Sequence, residues 1–207
     1  MKDLILRAEQ VSEIVKLNQH GTIGDLKYLF YPSFVDCGMT HPDIPFTQWN
    51  SFQVHYLINW NVLFPEINAW DFVTESTLKN CNLTVDRLHD IAVSNLKREQ
   101  FILKDLHNGV FLLKLDNPLI PSITCSILLI DEIWDILHDI VGQDYYIVPL
   151  YRDYLFLVTE DAVRDWDYTP NEFLITYLKL LKLEFPYAIP FSDQCFFYNN
   201  EELVRTE

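Results

Sequence analysis

Apolar residues recur along this chain with two periods, near 3.6 and near 2, and the changes between them mark out the elements. Between residues 2 and 19, Leu4, Ala8, Val11 and Val15 fall on one helical stripe, with Ile14 one position off; Lys16 comes late and Gly21 is a stop. This predicts an amphipathic opening helix over residues 1–20. Lys27 to Tyr31 reads as a short strand ended by Pro32, and Pro32 to Pro45 as a loop with three prolines and Gly38. From Phe52 the even positions are Phe52, Val54, Tyr56, Ile58, Trp60 and Val62, while Gln53, His55, Asn59 and Asn61 take odd ones. Period two predicts a strand with one buried face, and the four-residue spacing of Phe52, Tyr56 and Trp60 keeps a helix as the alternative.

After a less regular segment at Ala69 to Val73, a helix is predicted from Val85 to Lys97. Thr84 is its cap, Leu83 and Leu88 a hydrophobic staple, and Leu88, Ile91, Ala92 and Leu96 the core stripe. Asn95 falls on that apolar face, where an amide needs a partner; bracing of a neighbouring strand end is the expected role. Phe101 to Leu106 and Val110 to Leu115 flank His107-Asn108-Gly109, and Asn-Gly between two β-rich runs predicts a hairpin. Pro118 and Pro121 follow as a loop. Thr169-Pro170-Asn171-Glu172 opens a helix running to about Leu183, and Ala188 to Pro190 and Cys195 to Tyr198 read as strands, the latter turning toward Leu203-Val204.

The stretch from Ser126 to Asp161 combines a helix with a tight hairpin. Ile133, Ile136, Leu137, Ile140 and Val141 form the stripe expected to face the core, with Gly142 as C-terminal cap. Tyr145 to Leu150 and Tyr154 to Thr159 then pair through Tyr151-Arg152-Asp153, with an apolar density that predicts a central strand pair. No repeat, low-complexity run or linker divides the 207 residues, so the expectation is a single α+β domain over 1–207, mainly an antiparallel sheet with helices packed mostly on one face.

Composition sharpens this picture. A chain that is 49% hydrophobic with only five glycines forms a packed globule, and at this length it needs neither metal nor disulfide for stability. Cys37, Cys81, Cys125 and Cys195 contain no Cys-x-x-Cys pair, which suggests reduced thiols. The first twenty residues interrupt their apolar positions with charges, and no run approaches the ~20 apolar residues that span a bilayer. Together these point to the cytoplasm and away from a membrane. Thirty acidic residues against fifteen basic give a net charge of −15, which opposes binding to nucleic acid and to anionic lipid. From Asp131 to Glu172 there are eleven acids and two bases, a local charge of −9.

Asp131, Asp135 and Asp139 stand four residues apart on the helix, joined by Glu132, and like charges at that spacing oppose one another. The ridge is read either as a solvated face or as a surface that docks a basic protein, together with Arg152, Asp153, Asp161 and Asp165. Arg152 and Asp153 are expected to pair locally. A metal shared by Asp131, Asp135, His138 and Asp139 is not expected, because no second ligand group of defined spacing accompanies them. No nucleophile elbow, phosphate loop, dinucleotide fingerprint or His-Glu-x-x-His pair occurs, which leans away from an enzyme and implies no cofactor. The rival reading is a hydrolase or metal-dependent enzyme with a dispersed site drawn from groups such as His55, Asp71, Arg152 and Asp153.

The order of YLFYPSF, VHYLINW, TVDRLHDIAVSNL, the hairpin around HNGVFLL, SILLIDEIWDIL, YYIVPLYRDYLFLV and FPYAIPFSDQCFFYNNEELV resembles the YtpQ-type bacterial family, a domain of unknown function. The resemblance covers residues 27–207 and rests most on Ala92-x-x-Asn95-Leu96 and Pro149-x-x-Arg152-Asp153. It implies an α+β fold with an antiparallel sheet and brings no reaction, cofactor or substrate. Ser33 and Asn59 depart from the charged or polar residues expected at their positions. The function expected from all of this is a non-enzymatic protein-binding module, of the immunity or inhibitor kind.

Overall fold

The computed structural model describes residues 27–35, 42–62, 69–117, 123–165, 172, 191–192, 194–199 and 202–206. The helix expected at 1–20, the one expected from Thr169 apart from Glu172, and the strand at 188–190 lie outside them. The chain is α+β, its paired strands are all antiparallel among the described residues, and it gathers into two compact units, 1–96 and 97–207, each with a sheet of its own. One sheet was expected; there are two.

In the first unit, strands β1 (Phe30–Val35), β2 (Phe46–Trp49), β3 (Phe52–Asn59) and β4 (Trp70–Phe72) form a sheet in the order β1-β3-β2, with β4 also on β3. The strand predicted from Phe52 is therefore confirmed over the helical alternative, but both of its faces are buried rather than one. Pro32, expected to end a strand, sits inside β1 opposite Tyr56. It is tolerated because β1 is an edge strand, where a missing ladder N–H costs least, and because its fixed φ suits extended backbone.

Helix α1 (Glu75–Cys81) had no apolar stripe to announce it; its signals are local. Thr74 Oγ1 accepts from Thr77 N at 3.3 Å, and Asn82 closes the helix in the left-handed region at φ 51°. Helix α2 (Val85–Leu96) starts as expected, with Arg87 N donating to Thr84 Oγ1 at 3.2 Å. Leu88, Ala92 and Leu96 are fully buried. Asn95 takes the bracing role: its Nδ2 donates to the carbonyls of Lys27 and Phe30, at 2.8 Å for the second, and so ties the helix to the start of β1.

In the second unit, β5 (Phe101–Asp105), β6 (Val110–Leu115), β7 (Tyr145–Tyr151), β8 (Tyr154–Thr159), β9 (Phe196–Tyr198) and β10 (Leu203–Arg205) form a sheet ordered β10-β9-β7-β8-β6-β5. The β7–β8 hairpin is central, as its apolar density required. Pro149 lies where the β7–β8 register shifts, between Val148 and Tyr151, so the residue that cannot donate falls where the ladder is already interrupted. Helix α3 (Glu132–Val141) packs on the side of Tyr145 and Tyr198, and the short α4 (Glu160–Asp165) places Ala162 and Val163 in a cluster with Val110, Val148, Tyr151, Phe156 and Val158.

The predicted β5–β6 hairpin turns through His107, Asn108 and Gly109, all at positive φ. Gly109 is required twice over. Its φ is +76°, and a Cβ there would stand 2.2 Å from Thr159 Oγ1, at the end of β8. Gly142, which caps α3 at φ +80°, has nothing within 4 Å of such a Cβ. Gly109→Ala is therefore expected to cost about 3 kcal/mol of unfolding free energy and Gly142→Ala about 1 kcal/mol, the difference being the overlap with Thr159. Equilibrium denaturation of the two variants measures this, and equal losses would show that the turn has room.

Candidate functional site

Helix α3 forms because its first turn is acidic, its residues pack along one stripe and Gly142 N closes it on His138 O at 2.7 Å. Its buried stripe is not the expected one. Trp134 and Leu137 are buried, Ile133 and Val141 are half-buried, while Ile136 and Ile140 are 57% and 60% exposed. The helix is turned so that its largest apolar side chain, Trp134, enters the core, and the two isoleucines are carried outward as a result.

Three polar contacts fix that rotation. Tyr145 OH donates to the Trp134 carbonyl at 3.1 Å. Tyr198 OH donates to the Asp135 carboxylate in a short hydrogen bond, and His138 Nε2 lies 3.2 Å from Asp144 Oδ1. The His138 ring also sits against Tyr145 and Tyr198, with centroids at 6.5 and 6.0 Å. Burial first, then the Asp135 carboxylate, raises the Tyr198 hydroxyl to about 12.

The acids of α3 divide by what they touch. Glu132 is bonded to Lys97, whose ammonium holds its carboxyl below the usual range, and Asp135 accepts from Tyr198. Asp131 and Asp139 are exposed and have no side-chain hydrogen bond or ion pair among the described residues. At 100° per residue the exposed arc runs from Asp135 through Asp139 and Glu132 to Ile136 and Ile140. An acidic stripe thus lies beside a bare apolar one.

The other residues expected in the docking surface do not join it as one cluster. Asp161 is exposed and bonded to Arg164 at 3.2 Å, one turn along α4, which follows β8 at the end of the hairpin near Tyr145. The side chain of Asp165 lies outside the described residues. Arg152 and Asp153 form the turn at the far end, about 20 Å of strand away at 3.3 Å per residue. Their expected local ion pair is not formed among the described residues; Arg152 Nε is buried without a partner.

The metal arrangement of Asp131, Asp135, His138 and Asp139 does not assemble either: among the described residues no three His, Cys, Asp or Glu side chains stand close enough to hold an ion. The rival catalytic grouping is likewise divided. His55 lies on one face of β3, whereas Asp71 pairs in register with Ile58 on the other and accepts from Trp60 Nε1 at 2.7 Å. His55 itself, expected on an open face, is buried. On the opposite face Tyr56 OH is hydrogen-bonded with His89 Nδ1 at 3.0 Å and with the Thr47 hydroxyl at 2.8 Å, and burial raises Tyr56 to about 12.

In the sequence the signal for the bare isoleucines is Trp134: counted in the apolar stripe, it turns the helix toward the observed face. Compared with family models, with curated proteins and with solved structures, the chain finds no match.

Tyr56 and Tyr198 both have hydroxyls raised from an ordinary value of 10.0 to about 12 in the folded chain. An unfolded tyrosine loses its proton first, so their contribution to stability is complete below pH 10 and is lost as pH rises from about 10 to about 12. Unfolding free energy followed against pH should fall through that window, and Tyr198→Phe should make the fall shallower. A flat profile would refute the burial of both hydroxyls.

Proposed function

We propose that this protein is a non-enzymatic binding module whose helix α3 engages a basic protein partner, in the manner of an immunity or inhibitor protein. The observation that carries the reading is the pair Ile136 and Ile140, left 57% and 60% exposed on a helix whose neighbouring stripe is acidic. A face needed only for solubility has no use for two bare isoleucines one turn apart. Apolar contact supplies affinity, and the acids beside it steer a cationic partner and fix its register. Asp131 and Asp139, free of side-chain partners among the described residues, are the acids best able to meet incoming cations. The net charge of −15 extends the same preference and disfavours nucleic acid. A cytoplasmic location and kinship with the YtpQ-type family belong to this proposal.

The probe is an amphipathic helical peptide of lysine and leucine. It should bind the native chain with an affinity that falls as salt rises. Ile136→Ser with Ile140→Ser should weaken it about tenfold at constant salt slope, a loss of about 1.4 kcal/mol. Asp131→Lys with Asp139→Lys should weaken it similarly and flatten the slope. If a lysine peptide with no apolar face bound equally well, or if neither pair of substitutions had an effect, this surface would be abandoned.

A further inference from the structure

Strand β3 and the turn that follows it carry four buried polar side chains, and three of them are accounted for. Asn61 N donates to Asn59 Oδ1 and Ala69 N to Asn61 Oδ1, both at 3.0 Å, so the two asparagines turn the chain out of the strand. Gln53 Oε1 lies 3.3 Å from His55 Nε2. A carboxamide oxygen only accepts, so the ring proton sits on Nε2 and Nδ1 presents a lone pair. That lone pair has no partner among the described residues, although His55 is only 2% exposed. Burial lowers the imidazole's pKa and keeps it neutral.

Two phenylalanines that keep part of their surface exposed border this orphan acceptor. Phe46 pairs in register with His55, its ring centroid 5.7 Å away and tilted by 31°; Phe72, from β4, stands 6.0 Å away, edge to face. Both phenylalanines are 44% exposed, and Leu57, which pairs in register with Phe72, is half-buried. A buried acceptor ringed by half-exposed apolar side chains is the composition of a small-molecule site: an apolar wall with one polar group to set orientation.

We propose that His55, Phe46, Leu57 and Phe72 form a binding site for a small uncharged aromatic molecule that carries an O–H or N–H donor. The ring lies against the phenylalanines and the donor fills the Nδ1 lone pair. A carboxylate or phosphate has no proton to give, and a charged head group finds no counter-ion among these side chains. The site stands in residues 1–96 and does not depend on the role proposed for helix α3.

Phenol and toluene, equal in shape and differing in the donor, are the probes, and histidine-ring nitrogen NMR of the full chain is the readout. Phenol should shift the His55 Nδ1 resonance saturably and bind about tenfold more tightly than toluene, because toluene leaves the acceptor unpaired. His55→Phe, followed by the methyl proton shifts of Leu57, should erase that preference while both probes still bind. Should that variant fail to fold, Phe72→Ala, at a half-exposed position, should weaken both probes at least several-fold. The inference is overturned if toluene binds the native chain as well as phenol, if neither saturates, if Phe72→Ala changes nothing, or if the free chain shows Nδ1 protonated.

Discussion

Two-sided burial of the central strands governs this molecule. Once β3, and β7 with β8, are covered on both faces, every polar side chain they carry has to be answered inside the protein. Most are. Asn59 and Asn61 hold backbone amides, and Tyr145 reaches a helix carbonyl. Pro149, which has no donor, stands where the ladder shifts. His55 Nδ1 is the exception on β3, and its environment is the more informative for that.

The same demand sets the rotation of helix α3. Trp134 brings the largest apolar surface and goes inward, while Tyr145, Tyr198 and Asp135 lock the helix by hydrogen bonds. Ile136 and Ile140 are left outside because the inner side is filled. An exposed apolar pair is thus produced by packing elsewhere on the helix, and the acids beside it keep that surface soluble while leaving it open to a cationic partner.

Elements governed by nearest neighbours were legible in the sequence. The Asn108-Gly109 turn, the Thr84 cap, the Gly142 stop and the bracing role of Asn95 depend on local backbone chemistry, and all are present. Elements governed by distant packing were not. Period two along β3 is real, but whether the odd face of Gln53 and His55 meets water depends on what covers it, and alternation carries no information about that. Helix α1 escaped notice because a helix of two turns with only Leu78 and Cys81 buried has no stripe to count. The exposure of Ile136 and Ile140 is the hardest feature of the candidate site to read from sequence, because helix α3 carries two overlapping apolar stripes and only the packing of Trp134 selects between them.

Gly109 has a wider meaning than the shape of its own turn. Its carbonyl accepts from Thr159 N at 2.9 Å, so the tip of the β5–β6 hairpin is fastened to the point where β8 ends and α4 begins. Outer hairpins of a sheet ordinarily fray independently of the centre. Here the turn cannot open without releasing the end of the central strand, so the rim and the middle of the sheet are joined into one cooperative unit.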